Sequence, residues 1–377
     1  MIVKPRIILN FSTNDHLTAR YGLYRYCVDL IDGLAQLDNA ANFVVLGSRH
    51  HPVPELEWIF RKHADRWNYV NIKRRRCRGG YFIDQVPVAR LIAKLKGNLF
   101  HGLDYFLPFF SNIPLVATVF DLYAEHGKNQ TNRNCSYIEC FKILSKFRIA
   151  RLIAASNATA KDIKDFWKIS TKKITTIPLG TRILRRKSKC TRDPNIILTR
   201  YCLLPNKNLF NLVRAMGIVK NSCPNAKLVL YGHANISSQA EEEFDSLVLN
   251  CGISSMVEKL GFVSDEKLEE LYDTAGMFVL PSLSEGFGLP LVEAMSRGLP
   301  VVCHQEGAMA EVVGEAGILI DVRNPANLAA GIIRVIYNPV ERSKLELAGY
   351  NRSEYYSAKR MANETFDVYM QILTQKM

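Results

Sequence analysis

Pro281-Ser-Leu-Ser-Glu285-Gly-Phe-Gly-Leu-Pro-Leu-Val-Glu293-Ala-Met295 decides how the rest of the chain is read. Before it, Met277-Phe-Val-Leu280 is a short apolar run that reads as a buried strand. After it, residues 290–297 read as a helix with proline in its first turn, where a missing N–H costs nothing. Between them lie Gly286 and Gly288, residues that let backbone pass close to a ligand. A strand therefore feeds a tight glycine loop that opens a helix. The N–H groups at such a helix start suit an anion, a diphosphate among them. Glu285 sits in the loop and Glu293 one turn down the helix. Ionised carboxylates only accept hydrogen bonds, so both suit the hydroxyls of a sugar.

A single glycine loop is most often an ordinary strand–loop–helix corner of an α/β protein, with an acid such as Glu293 solvated in the first turn. Here about fifteen consecutive positions run without a gap. They closely resemble the E-x7-E signature of the retaining GT-B glycosyltransferases, the "group 1" family (family 4). The resemblance implies two doubly wound Rossmann-like domains with a cleft between them and a C-terminal helix that crosses back onto the first.

Length and composition fit that expectation. The chain has 377 residues, 48% of them hydrophobic, enough for two domains with real cores. Nine cysteines show no C-x-x-C pair and no zinc spacing, which suits a reducing cytoplasm. Ser12-Thr-Asn-Asp15 follows the first apolar run, so no secretory h-region is read, and no apolar run reaches the roughly 20 residues that span a bilayer. The net charge is +13. Much of it lies in Lys73-Arg-Arg-Arg76 with Arg78, and in the run from Arg182 to Arg192. Solvated faces are one reading of these clusters. An anionic membrane surface is the other, with the chain peripheral at its inner face. Nucleic acid is set aside, because no binding motif is present and the aromatics do not interleave with the basic residues.

Taken in order, the chain alternates. Residues 6–11, 42–47, 69–72, 98–102, 114–121 and 151–155 read as strands, with helices over 22–37, 84–96, 132–150 and 156–167. Ser156 is the expected N-cap of the last of these. Gly22 opens the first helix after a strand and loop, where α/β folds bind ligands. A second alternating set begins after the basic, irregular segment 181–194. Its strands are 195–199, 227–232, 257–262, 277–280 and 300–303, and residues 353–377 read as one amphipathic terminal helix. The expected organisation is an acceptor-binding domain over 1–185, a nucleotide-sugar-binding domain over 186–355 and the terminal helix over 356–377.

Site residues follow from the resemblance. Lys207, in Pro205-Asn-Lys-Asn208, resembles the family's P-x-K-N loop and implies the cation that faces the donor diphosphate. Glu285 takes the donor sugar, Glu293 the ribose, and the amides of Gly286, Phe287, Gly288 and Leu289 add donors. Gly232, with His233 beside it, lets the nucleotide approach, and Gly22 is the candidate from the first half. Retaining enzymes of this fold are thought to let the leaving diphosphate deprotonate the acceptor, so no metal and no cofactor is expected beyond the nucleotide-sugar substrate. There are departures. Phe120-Asp121 stands where the family usually has His-Asp, leaving His126 and His101 as weak substitutes, and Tyr201-Cys202 stands where a glycine and a cation or threonine are usual. Arg200 is shifted by one or two residues, which changes the face a strand residue points to, so it is not counted as equivalent.

The resemblance implies transfer of a hexose, with mannose among the candidates, from a GDP- or UDP-sugar to a lipid-linked or polysaccharide acceptor in cell-envelope glycan synthesis. A GT-B-shaped protein that binds nucleotide or glycan without turnover is the alternative.

Overall fold

A computed structural model describes residues 4–13, 22–37, 41–73, 83–104, 106–122, 135–186, 191–233 and 238–375, the side chains of 135–139 excepted. The chain divides into two compact units, Met1–Arg182 with Tyr356–Met377, and Ile183–Tyr355. His126 and most of the basic cluster at 73–78 lie outside the described residues.

The first unit is built on strands β1 (Arg6–Asn10), β2 (Asn42–Gly47), β3 (Trp67–Asn71), β4 (Leu99–Gly102), β5 (Leu115–Val119), β6 (Ile149–Ala154) and β7 (Ile174–Thr176). They form one parallel sheet in the order β3-β2-β1-β4-β5-β6-β7. The second unit holds β8 (Asp193–Arg200), β9 (Lys227–Tyr231), β10 (Val257–Gly261), β11 (Ala275–Leu280), β12 (Val301–His304) and β13 (Ile318–Ile320), in the order β10-β9-β8-β11-β12-β13. Every pairing there is parallel too. Parallel strands need covered crossovers, so both faces of each sheet are packed by helices. The central strands β4, β5, β11 and β12 are accordingly buried along their whole length, whereas the edge strands β3, β7 and β10 are partly exposed.

Chain direction across each sheet reverses once, between β1 and β4 in the first unit and between β8 and β11 in the second. Loops leaving neighbouring strands at such a point diverge, and they leave a crevice at the C-terminal strand edge. In the second unit the two loops concerned carry Lys207 and Glu285.

The C-terminal end departs from the sequence reading. Residues 353–377 are not one helix. A helix over Pro339–Glu354 ends in the second unit, and a new one over Ala358–Thr374 belongs to the first. Ser357 opens the new helix, its Oγ accepting from the Arg360 amide at 3.3 Å. The last helix packs on the first, Gly22–Gln36. A Cβ on Gly33 would stand 2.8 Å from the Ala362 Cβ and 2.9 Å from the Ala358 carbonyl oxygen. Only glycine lets the two backbones approach that closely. Among the described residues no helix is long and apolar enough to cross a membrane.

Candidate active site

The Lys207 loop is held open by its neighbours rather than by its own helix. Pro205–Lys207 forms a single 3-10 turn, and Asn208 then adopts a left-handed conformation, φ 56°, before the helix Leu209–Ser222 begins. Asn208 is the N-cap residue of that helix, but its side chain caps nothing there: Nδ2 donates to the Pro281 carbonyl at 3.0 Å and to the Val322 carbonyl at 2.9 Å. The Leu283 amide donates back to the Asn206 carbonyl at 2.7 Å. The loops after β8, β11 and β13 are thereby stitched together, and asparagine tolerates the left-handed turn this requires.

Stitching brings the two charged groups into contact. Lys207 Nζ lies 2.7 Å from Glu285 Oε1, and Ser282 Oγ donates to the same oxygen at 2.7 Å. Both charged side chains keep some exposure, 28% and 18%, so the pair is reachable from solvent. A pair in that setting is worth about 1 kcal/mol or less to stability. Its positioning therefore owes more to the loop stitches than to its own attraction.

Gly288 completes the turn. At φ 97° it lies in left-handed territory, and the helix Leu289–Ser296 starts directly after it. Phe287 and Leu289 bury their side chains on either side of Gly288. Glu293, a turn later, accepts from Tyr272 OH at 3.2 Å, and Tyr272 OH lies 3.0 Å from Tyr231 OH at the end of β9. Tyr272 is buried in the helix Asp265–Thr274, and the sequence reading did not single it out. No local pattern marks it; the fold alone brings it beside Glu293. The far end of the site helix is tied as well. The Arg297 guanidinium, 3% exposed, bonds Asp273 at 2.7 Å, and Arg192 donates to the Arg297 carbonyl at 2.6 Å. A cation at a helix C-terminus meets the negative end of its dipole.

Gly232 follows β9 at φ 103°, and its amide bonds the Gly261 carbonyl at 2.7 Å. A Cβ there would come 3.8 Å from Arg200 Cγ, so Arg200 flanks Gly232 at the strand edge. Beside them the rings of His233 and Phe262 stack, 5.7 Å apart and 16° from parallel. Phe262 was not singled out from sequence, although it is an exposed aromatic directly after β10. Among the described residues no group of three or more His, Cys, Asp and Glu side chains is placed to hold a metal.

Other candidates resolve differently. Gly22 belongs to the first unit, as the first residue of its opening helix. His101 is fully buried, its Nδ1 2.5 Å from Tyr369 OH and its Nε2 2.9 Å from Thr118 Oγ1. Burial pushes its pKa down to about 3, so this histidine is a neutral structural group and not an exposed edge residue. Phe120 meets the Tyr26 ring edge-on at 4.9 Å. Tyr201 turns into the core against Phe244 and bonds Glu241 at 3.3 Å. The basic run also reads differently in place. Arg185 pairs with Glu354 at 2.5 Å, Arg186 with Glu346 at 3.0 Å, and Arg192 is largely buried with the same Glu346 at 3.5 Å, so these three arginines each meet a carboxylate of the second unit, while residues 187–190 of the run lie outside the described residues.

Two family models match. Glycosyltransferase Family 4 covers residues 21–183, and glycosyl transferases group 1 covers residues 181–352. The chain belongs to the group 1, family 4 glycosyltransferases. This family 4 chain is similar to the MMP alpha-(1->4)-mannosyltransferase of Mycolicibacterium hassiacum, 30% identical over 239 residues, or 62% of the chain and 56% of that protein. It thus spans little more than half of that relative. Among solved structures, it is similar to sucrose-phosphate synthase of Thermosynechococcus elongatus, with 19% identity, a TM-score of 0.80 and coverage of 99% and 100% of the two chains. Anabaena Alr3699/HepE in complex with UDP and glucose gives 17% identity, a TM-score of 0.72 and coverage of 97% and 99%. At those identities the likeness establishes the fold, GT-B.

Proposed function

We propose that this protein is a retaining glycosyltransferase that moves a hexose, mannose first among candidates, from a nucleotide-diphosphate sugar to a lipid-linked or polysaccharide acceptor. The observation that carries the reading is the 2.7 Å contact of Lys207 and Glu285 at the direction reversal of the second sheet. A cation and a carboxylate held there offer complementary ends to a sugar diphosphate. Family membership supports the reaction class. The name of the Mycolicibacterium relative favours mannose, and the UDP and glucose bound to the Anabaena protein favour a nucleotide-sugar donor.

In this reading the Lys207 ammonium and the amides of Phe287, Gly288 and Leu289 take up the negative charge that grows on the diphosphate as the anomeric C–O bond breaks. Fixed donors aimed at developing charge are the largest ordinary source of rate. Glu285 holds the sugar hydroxyls, and Glu293, braced by Tyr272, holds the ribose. The acceptor hydroxyl attacks from the face the diphosphate leaves, its oxygen bonding to the anomeric carbon, and a diphosphate oxygen takes its proton. Retention needs no protein nucleophile by this route, and the counter-charge assigned to Lys207 takes the place of a metal.

The test is a screen of nucleotide sugars for binding and slow hydrolysis. UDP or GDP is expected to raise the melting temperature, as any ligand of the folded state must. Glu285→Ala is expected to lower donor turnover by roughly 10²–10³-fold while leaving the fold intact. A second reading, binding without turnover, draws on Phe120 and on the inward turn of Tyr201. Nucleotide binding with no sugar release from any donor would select it, and no binding of any nucleotide would sink both.

A further inference from the structure

β8, β9 and β10 are neighbours in the second sheet. Right-handed crossovers between them put their helices, Leu209–Ser222 and Ser238–Asn250, on one face, where the two touch. Their inward sides are ordinary core. Leu212, Val213 and Met216 of the first and Phe244 and Val248 of the second are buried together. Their outward sides do not close on each other. A cavity of about 590 Å³ opens between them, within the roughly 300–1,000 Å³ usual for small-molecule sites.

Phe210 and Leu247 give the cavity an apolar floor. Both are partly buried and rest on the core, Phe210 edge-on against Phe244 at 5.9 Å. The phenyl ring is thus braced from behind while it lines the cavity. Polar side chains make the walls. Arg214 follows Phe210 by one turn on the same helix face, and Glu242, Ser246 and Asn250 recur at four-residue steps along the other helix. Opposite charges line the cavity without meeting across it. Arg214 donates to Asn211 of its own helix at 3.0 Å, and Glu243 accepts from Gln239 of its own at 3.2 Å. Among the described residues no hydrogen bond or ion pair joins the two walls, and the side chains of Glu242, Ser246 and Asn250 have no partner.

These walls discriminate among ligands. An anion would meet two glutamates against one arginine, and a cation would meet the arginine. An apolar molecule would strip water from charged groups and give nothing back. Among the described residues no group of three or more His, Cys, Asp and Glu could hold a metal. A neutral, polyhydroxylated ring satisfies the whole lining: its C–H face rests on the phenyl ring, and its hydroxyls both donate to the carboxylates and accept from the guanidinium and carboxamide.

We infer that the groove between the helices Leu209–Ser222 and Ser238–Asn250 binds a neutral oligosaccharide, at a site separate from the donor loops. Phe210 opens the helix that follows the Lys207 turn, so a glycan held here is tethered to the unit that carries those loops. The inference stands without the donor chemistry above.

Saturation-transfer NMR with α-linked mannotetraose, maltotetraose and cellotetraose tests it. At least one of the three is expected to take up saturation from the wild-type protein, most strongly at ring C–H protons. Phe210→Ala is expected to bind that sugar about ten-fold more weakly. Because the same ring braces Phe244, Ser246→Trp is the second variant: the position is exposed, the indole fills the cavity, and binding should fall as far with an unchanged unfolding midpoint. Glu285→Ala is expected to bind the tetrasaccharide like wild type. The inference is overturned if none of the three sugars binds, or if binding survives both groove variants. It is equally overturned if Glu285→Ala abolishes binding, for the glycan would then occupy the donor loops. Donor hydrolysis is expected to persist in both groove variants. Tetrasaccharide binding in the groove with no hydrolysis of any donor would strike only the proposed function.

Discussion

Glu293 and Glu285 are both glutamates of one loop and helix, yet their surroundings differ. Glu285 is bonded by an ammonium and a hydroxyl at the loop tip, whereas Glu293 is braced from below by a buried tyrosine pair. If Glu293 takes ribose hydroxyls, Tyr272→Phe removes a bond that aims its carboxylate. Losing one such bond costs about 1–1.5 kcal/mol, or roughly ten-fold in nucleotide affinity. Calorimetry should show that loss with ribonucleoside diphosphates and much less with their deoxyribose analogues. An equal loss for both sugars would mean that Tyr272 acts through the fold alone. Glu285 and Glu293 are marked in the sequence by one contiguous loop motif and Lys207 by another, and the contact of Lys207 with Glu285 is what the fold adds. Tyr272 is marked by neither, because it reaches Glu293 across a distance of 21 residues from a helix whose pattern announces only burial.

Five of the six strands of the second unit were legible, Ile318–Ile320 being the exception, for a physical reason: a parallel strand is buried on both faces, so it appears as an unbroken apolar run between polar loops. The helix over Pro339–Glu354 was missed, its sequence being rich in charge and poor in periodic apolar positions. The break at residues 355–357 was missed as well, since amphipathic pattern continues through it and only the seat of the last helix reveals the turn. That seat is testable at Gly33. Alanine would favour the helix by about 1 kcal/mol. Its Cβ would, however, stand 2.9 Å from a backbone carbonyl that cannot rotate away. Overpacking of that kind costs about 1–3 kcal/mol. The clash is expected to win, lowering the urea midpoint of Gly33→Ala, and Gly33→Leu should be worse. A higher midpoint for the alanine variant would mean that the last helix does not rest there.

At the scale of the molecule, the two-sheet plan follows from two runs of alternating strands and helices, but the return of the terminal helix to the first unit is settled by contacts no local pattern displays. His101 is where that return is chemically recorded. It joins β4 to Tyr369 of the last helix and to Thr118 of β5, and Thr118 in turn meets Tyr26 of the first helix at 2.7 Å. This buried chain ties together the beginning, middle and end of the unit. Burial holds the imidazole neutral, moving its pKa from 6.5 to about 3. The unfolded chain takes up a proton below its ordinary value and the folded one does not, so the unfolded state binds more protons across that window. Stability from this group is therefore complete above pH 6.5 and is lost as pH falls toward 3, by about 1.4 kcal/mol per pH unit. Urea unfolding of the first unit, followed from neutral pH to about pH 4, should show that slope in the wild type. His101→Gln should start less stable, having weaker bonds to Tyr369 and Thr118, but should lose stability more slowly on acidification. Carboxylates titrate alike in both proteins, so the difference in slope isolates the imidazole. Parallel profiles would mean that His101 gains access to water and protonates in place, and the tie between the two ends of the unit would then be looser than its hydrogen bonds imply.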